Sequence, residues 1–166
     1  MATITLNGNP VNTIGELPAI GTKAPFFELV KSDLSDLKIE DLLGKKVILN
    51  IFVSLDTGIC AASVRRFNNE VAKLPDTRVV CISKDLPFAH SRFCSTEGIE
   101  NVITASGFRN NNFGKSYGVM ITDGPFRGLL ARSIVVLDEK GTVLYTELVP
   151  EIAQGPDFES ALASLK

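Results

Sequence analysis

Residues 48–67 read ILNIFVSLDTGICAASVRRF, and the parsing of this stretch decides the fold. Ile48, Leu49, Ile51, Phe52 and Val53 make a nearly continuous apolar run interrupted only by Asn50, the pattern of a parallel strand buried on both faces. The polar knot Ser54-Leu55-Asp56-Thr57-Gly58 ends that strand, and Ala61, Ala62, Val64, Arg65 and Phe67 continue with helical character. A strand-turn-helix unit therefore puts Cys60 in or beside the first turn of a helix, where free amide N–H groups and the helix dipole favour an anion. Thr57, three residues earlier, can bring its hydroxyl to the same side of the turn. Two readings of Cys60 stay open on local sequence: a reactive thiol, or a small apolar residue packed beneath a helix.

Outward from this unit, Val64, Phe67, Val71 and Leu74 repeat at helical spacing, predicting a helix to about Lys73 that Pro75 ends. Arg78 to Ser83 reads as a second buried strand with Cys81 in its middle, where packing is the favoured role. Pro87 opens a helix over Phe88 to about Ser95, with Gly98 beyond its end and Cys94 in its last turn. Cys94 is either a partly buried packing residue or a thiol free to move, because helix ends fray. Val102–Ala105 is a third short strand, and a brief helix is expected between Phe108 and Tyr117. Leu129–Leu137 and Thr142–Val149 form a hairpin around Asp138-Glu139-Lys140-Gly141, and an amphipathic helix starts at Pro156-Asp157. Towards the N-terminus, Thr3–Leu6 and Val11–Ile14 flank Asn7-Gly8-Asn9-Pro10 as a further hairpin. Phe27–Val30 is a short strand, and Leu37–Leu43 one or two helical turns stopped by Gly44. Strands that alternate with helices and then close in a hairpin and a terminal helix describe an α/β domain of thioredoxin-like architecture. Its mixed central sheet is flanked by helices.

The 166 residues suit one domain, 1–166, large enough to bury a core without cross-links. A net charge of −2 and the absence of a long Lys/Arg run offer no footprint for nucleic acid or an anionic membrane. The first residues lack a basic segment followed by an apolar one, so a cytoplasmic location is expected. Three cysteines without short metal-type spacing, and a single histidine, His90, argue against a zinc site. An odd cysteine count points to thiol chemistry rather than a disulfide scaffold.

The pieces NGNPV, LVKSDLSD, LNIF, SLDTGICAASVRRFN, CISKDLPFAHSRFC, EGIENVIT, FRN, YGV, GLLARSIVVLDE and PDFESALASLK resemble the bacterial thiol peroxidases, an atypical two-cysteine branch of the peroxiredoxins. The resemblance spans essentially the whole chain. It implies a thioredoxin fold with an N-terminal β-hairpin, a homodimer, peroxide substrates, thioredoxin as reductant, and no metal, haem or flavin cofactor. By matching motif, Cys60 takes the place of the peroxidatic cysteine, Thr57 that of the threonine beside it, Arg132 that of the active-site arginine, and Cys94 that of the resolving cysteine. Arg65, Arg66 and Arg92 are competing candidates for the guanidinium, and Arg132 can equally be a surface ion-pair partner. One departure stands out: where the family motif has a proline four residues before the threonine, this chain has Val53.

The residue types suit the chemistry that the resemblance implies. A thiolate attacks the O–O bond, donors stabilise the charge on the departing oxygen, and the resulting sulfenic acid condenses with a second thiol. External dithiol exchange then restores both sulfurs. Because Cys60 and Cys94 sit on different helices with a buried strand between them in sequence, their union implies local unwinding, more readily around residues 88–98. A disulfide oxidoreductase on the same fold is weakened by the absence of Cys-x-x-Cys. The alternative from another class is a redox-signalling or interaction protein whose peroxidase activity Val53 has reduced.

Overall fold

Asn7 (φ 51°) and Gly8 (φ 83°) both adopt left-handed backbone, and this two-residue turn folds Thr3–Leu6 (β1) onto Asn9–Asn12 (β2) with Leu6 opposite Asn9. Two positive φ angles match the natural twist of a tight hairpin. The second strand thus starts two residues earlier than sequence suggested, with Pro10 tolerated because it lies in a two-stranded ribbon. In the computed structural model, which describes residues 1–166, the rest of the chain builds a seven-stranded sheet. Its strands are Glu28–Lys31 (β3), Asp36–Lys38 (β4), Lys46–Ile51 (β5), Thr77–Ser83 (β6), Ile103–Ser106 (β7), Ser133–Leu137 (β8) and Val143–Leu148 (β9), in the order β4-β3-β7-β6-β5-β8-β9. β5, β6 and β7 run parallel, and the remaining pairs are antiparallel.

The expected thioredoxin-like arrangement with its hairpin is present. β5 lies inside the sheet between β6 and β8, and Val47, Ile48, Leu49 and Ile51 have no exposed surface. Alternation along the strands sends Ile48, Val79, Cys81, Ile134 and Val136 to one face, and Val47, Leu49, Val80, Ile82 and Val135 to the other. On the first face lie Gly58–Val71 (α1), Pro87–Glu97 (α2) and Phe158–Ala163 (α4), together with Ile4 and Val11 of the hairpin. On the second face pack Asn112–Ser116 (α3) and the segment around Leu42. No helix is long and apolar enough to cross a membrane.

One stretch departs from expectation. Leu37–Leu43 is not helical throughout: Asp36–Lys38 is strand β4, followed by a 3-10 helix over Ile39–Leu42. Leu37 must stand opposite Leu29 of β3 to complete the second face, and the Asp41 carboxylate accepts the Lys38 N–H (2.9 Å) to start the tighter helix. A three-residue strand is too short to show periodicity in sequence. α2 runs two residues further than expected, to Glu97, because Gly98 (φ 67°) caps it by donating to the Cys94 carbonyl.

Candidate active site

β5 ends at Ile51, and the next residues turn sharply into α1. The Ser54 carbonyl accepts both the backbone N–H of Thr57 (3.2 Å) and its hydroxyl (2.9 Å), which fixes Thr57 as the residue preceding the helix. Ala61 N–H then bonds the Thr57 carbonyl (3.0 Å), while the amides of Gly58, Ile59 and Cys60 have no protein acceptor. Such orphan donors, together with the helix dipole, form an anion-binding end. Cys60, the third residue of α1, lies in this turn with no exposed surface, and all three cysteines are free thiols. Ser63 Oγ donates to the Cys60 carbonyl (2.7 Å) and in turn accepts from Asn50 (3.3 Å) on β5, so the turn is also braced from below.

Arg132 enters from the start of β8, 2% exposed, and its Nη1 donates to Cys60 Sγ at 2.9 Å. Its Nε (3.1 Å) and Nη2 (2.8 Å) fork onto the Ile152 carbonyl. That carbonyl is held in place by the hairpin: Thr5 N–H donates to Pro150 O, Ile152 N–H donates to Thr5 O, both at 2.8 Å, and the Glu151 carboxylate accepts Thr5 Oγ1 and Asn7 N–H. Arg132 has no carboxylate partner. A guanidinium stays charged, and a buried charge without a counter-ion is costly, so the site favours an anionic partner beside Arg132.

The other arginines are occupied elsewhere. Arg65 pairs with Glu97 (2.7 Å), Arg66 with Glu70 (3.4 Å) and Glu159 (3.3 Å), and Arg92 with Asp56 (3.4 Å). Thr57 lies one turn from Cys60, its hydroxyl proton given to Ser54 rather than to the sulfur. Cys94, the eighth residue of α2, is half-buried against the same apolar cluster as Cys60, and burial pushes its pKa up while Thr104 opposes the shift. Cys81 is wholly enclosed, its thiol pushed up to about 12 by burial against the opposing Asn50 amide. Val53 is 2% exposed in that cluster, and its N–H forms no hydrogen bond. A surface cavity of about 660 Å³ lies at the far end of α1 around Glu70, Leu74 and Lys46, away from the sulfur.

Residues 19–165 match the family model described as Redoxin, and the chain is 58% identical over 165 residues to the thiol peroxidase of Mycobacterium tuberculosis, covering 99% of each. The chain belongs to the Redoxin family. It is a thiol peroxidase of the peroxiredoxin type. Among solved structures, a peroxiredoxin-like protein from Aquifex aeolicus superposes with a TM-score of 0.91 at 35% identity, covering 99% of this chain and 96% of that one. A thiol peroxidase from Chromobacterium violaceum shares the fold with a TM-score of 0.90 at 24% identity, over 99% of this chain and 96% of its own.

The groups that buttress the Cys60 loop of this redoxin were not legible in its sequence. Asp85 Oδ1 accepts from Ser54 Oγ (2.7 Å) and Oδ2 from Leu55 N–H (2.8 Å). The Ile152 carbonyl that forks Arg132 was equally invisible. A signal existed for the first pair: Ser54 and Asp85 both follow the carboxyl ends of neighbouring parallel strands, where polar loops meet.

Proposed function

We propose that this chain is a thiol-dependent peroxidase that reduces hydrogen peroxide and alkyl hydroperoxides, with Cys60 as the attacking sulfur. The observation that carries the reading is the buried Arg132 guanidinium 2.9 Å from Cys60 Sγ, beside a helix turn whose first amides are free. The thiolate attacks one peroxide oxygen, the O–O bond breaks, and the departing alkoxide or hydroxide takes a proton from solvent, leaving Cys60 as sulfenic acid. Arg132 and the free amides of α1 offer donors where charge gathers on the two oxygens. Thr57, one turn away, orients the peroxide through its hydroxyl oxygen.

Cys94 acts as the second thiol: its sulfur displaces water from the Cys60 sulfenic acid and closes an intramolecular disulfide. α1 and α2 both start at the carboxyl edge of parallel strands, with Cys60 third and Cys94 eighth along them. With both helices running from the same edge of the sheet, five residues of axial offset at ~1.5 Å each alone set the two Cα atoms roughly 7.5 Å apart or more. A disulfide needs less than about 7 Å, so α2 unwinds locally before the bond closes. A cytoplasmic dithiol protein, thioredoxin, reduces the bond by exchange, and the working unit is a homodimer.

Peroxide-dependent NADPH consumption with thioredoxin and its reductase tests this directly. Cys60→Ser should abolish turnover, because a serine hydroxyl is a poor nucleophile at neutral pH. Cys94→Ser should react once per site, accumulate sulfenic and then sulfinic acid on Cys60, and fail to recycle. Substantial turnover in the first variant sinks the role of Cys60. Normal thioredoxin-linked cycling in the second removes Cys94 from the mechanism.

A further inference from the structure

A buried polar chain that the peroxide chemistry leaves unused runs between the two thiol-bearing segments. From the Cys60 loop, Ser54 Oγ and Leu55 N–H donate to the Asp85 carboxylate. At the end of β6, Ser83 Oγ donates to Asp85 Oδ2 (2.7 Å) and lies 2.9 Å from Nε2 of His90, on α2, four residues before Cys94. The Ser83 hydroxyl has one proton, and an ionised carboxylate only accepts, so that proton goes to Asp85 and Ser83 accepts from His90 Nε2–H. The neutral imidazole is therefore the Nε2–H tautomer. Its Nδ1 is buried and faces no partner.

α2 has few other anchors. Besides Pro87 in its first turn, only His90 and Phe93 are buried, whereas Leu86 and Phe88 on either side of Pro87 are exposed. Protonation would place a new Nδ1–H donor, and a positive charge, in a site with no acceptor for that donor. We propose that His90 is a positioning residue, a latch that holds α2 and Cys94 against the Cys60 loop while the imidazole is neutral and releases them when it is protonated. The latch rests on the reading of Cys94 as the second thiol, and adds to it a pH control on disulfide closure.

The surrounding charges do not supply the missing partner. Asp85 Oδ2, 3.9 Å from Nε2, is the nearest carboxylate and is already bonded to Leu55 and Ser83. On α2 itself, Arg92 is exposed and paired with Asp56, and Glu97 pairs with Arg65 of α1. Lys84 of the β6–α2 loop donates to Gly107, Asn110 and Asn111. The thiols of Cys81 on β6 and Cys94 on α2 are both raised by burial and stay protonated over the range concerned. Burial lowers the His90 pKa below its ordinary 6.5, with Asp85 opposing. The opened helix therefore binds a proton that the docked helix does not. Docking is complete above the ordinary value and is lost as pH falls through the lower, folded one.

Because the open helix takes up the proton more readily than the docked one, the opening equilibrium rises as pH falls from 7.5 to 5.5, by about tenfold at most. Hydrogen exchange on the reduced full-length protein, corrected for intrinsic rates, reads this in peptides covering 87–97. The wild type should show this rise in exchange on acidification in that segment alone, and His90→Gln, whose amide can still donate to Ser83 but does not titrate, should show none. His90→Asn, with alkylation of Cys94 corrected for its thiolate fraction as the readout, repeats the comparison if the first variant does not fold. Equal pH ratios in wild type and variant overturn the latch, as does a change spread evenly over β5 and β6. Thioredoxin-linked turnover of Cys94→Ser reports separately on the second thiol. If that variant still cycles, the role of Cys94 fails, while the exchange result continues to stand or fall by itself.

Discussion

Replacing Arg132 by Met tests the centre of the proposed mechanism. The substitution keeps most of the buried volume and removes one donor to Cys60 Sγ and two to the Ile152 carbonyl. Removing a single donor that stabilises charge in a transition state typically costs about 10²–10³-fold in rate. A similar loss is expected in the second-order rate of Cys60 with hydrogen peroxide. Stability should change less than the lost bonds suggest. Leaving the Ile152 carbonyl unpaired costs about 1–3 kcal/mol, but removing a buried charge that has no carboxylate partner offsets part of this. Arg132→Lys keeps the charge, yet a single ammonium cannot fork Ile152 and still reach the sulfur, so it should recover only part of the rate. Stopped-flow measurement of a single turnover without reductant gives the rate, and circular dichroism establishes that each variant is folded. A folded Arg132→Met protein reacting within about threefold of wild type would refute the donor role, since one effective donor is worth far more than that.

Cys81→Ala should lower stability by about 1 kcal/mol through a small buried cavity and leave peroxide turnover unchanged. Collapse of activity in the folded variant would put Cys81 into the chemistry. Val53→Pro should fold, because the Val53 N–H that proline lacks forms no hydrogen bond, and should raise the peroxide rate by shaping the loop. An unchanged or lower rate would mean that Ser54, Asp85 and Thr57 already hold that loop in place. Glu151 links the hairpin to the segment that holds Arg132, and the Thr5 hydroxyl, followed by the N–H groups of Asn7, Gly8 and Ala153, lowers its pKa below the ordinary 4.5. Its contribution is complete above 4.5 and is lost as pH falls through the lower folded value. The difference in melting temperature between wild type and Glu151→Gln should accordingly shrink below pH 4.5, and a constant difference would exclude the link. On oxidation to the disulfide form, amide exchange should accelerate around Cys60 and along 87–97. Identical protection in both forms would argue against local unwinding.

Local pattern was enough for much of this protein. The apolar run into β5, the helix after Thr57, the N-terminal hairpin and the Gly98 stop are short-range features, set by side-chain period and by which residues accept left-handed backbone. The same stretch was enough to place Cys60 in the first turn of a helix. It failed at Leu37–Leu43, where a three-residue strand leaves no period to read and Leu29, across the sheet, decides the conformation. Which guanidinium meets the sulfur was beyond local reading too. Arg65, Arg66 and Arg92 are nearer to Cys60 in sequence, and only the antiparallel pairing of β8 with β5 brings Arg132 across 72 residues. The Ser54–Asp85–Ser83–His90 chain has the same origin. Each member is an ordinary polar residue at a strand or helix end, and the adjacent ends of β5 and β6 turn them into one buried network. Sequence spacing governs contacts a few residues apart, whereas the order and direction of strands govern those between distant ones.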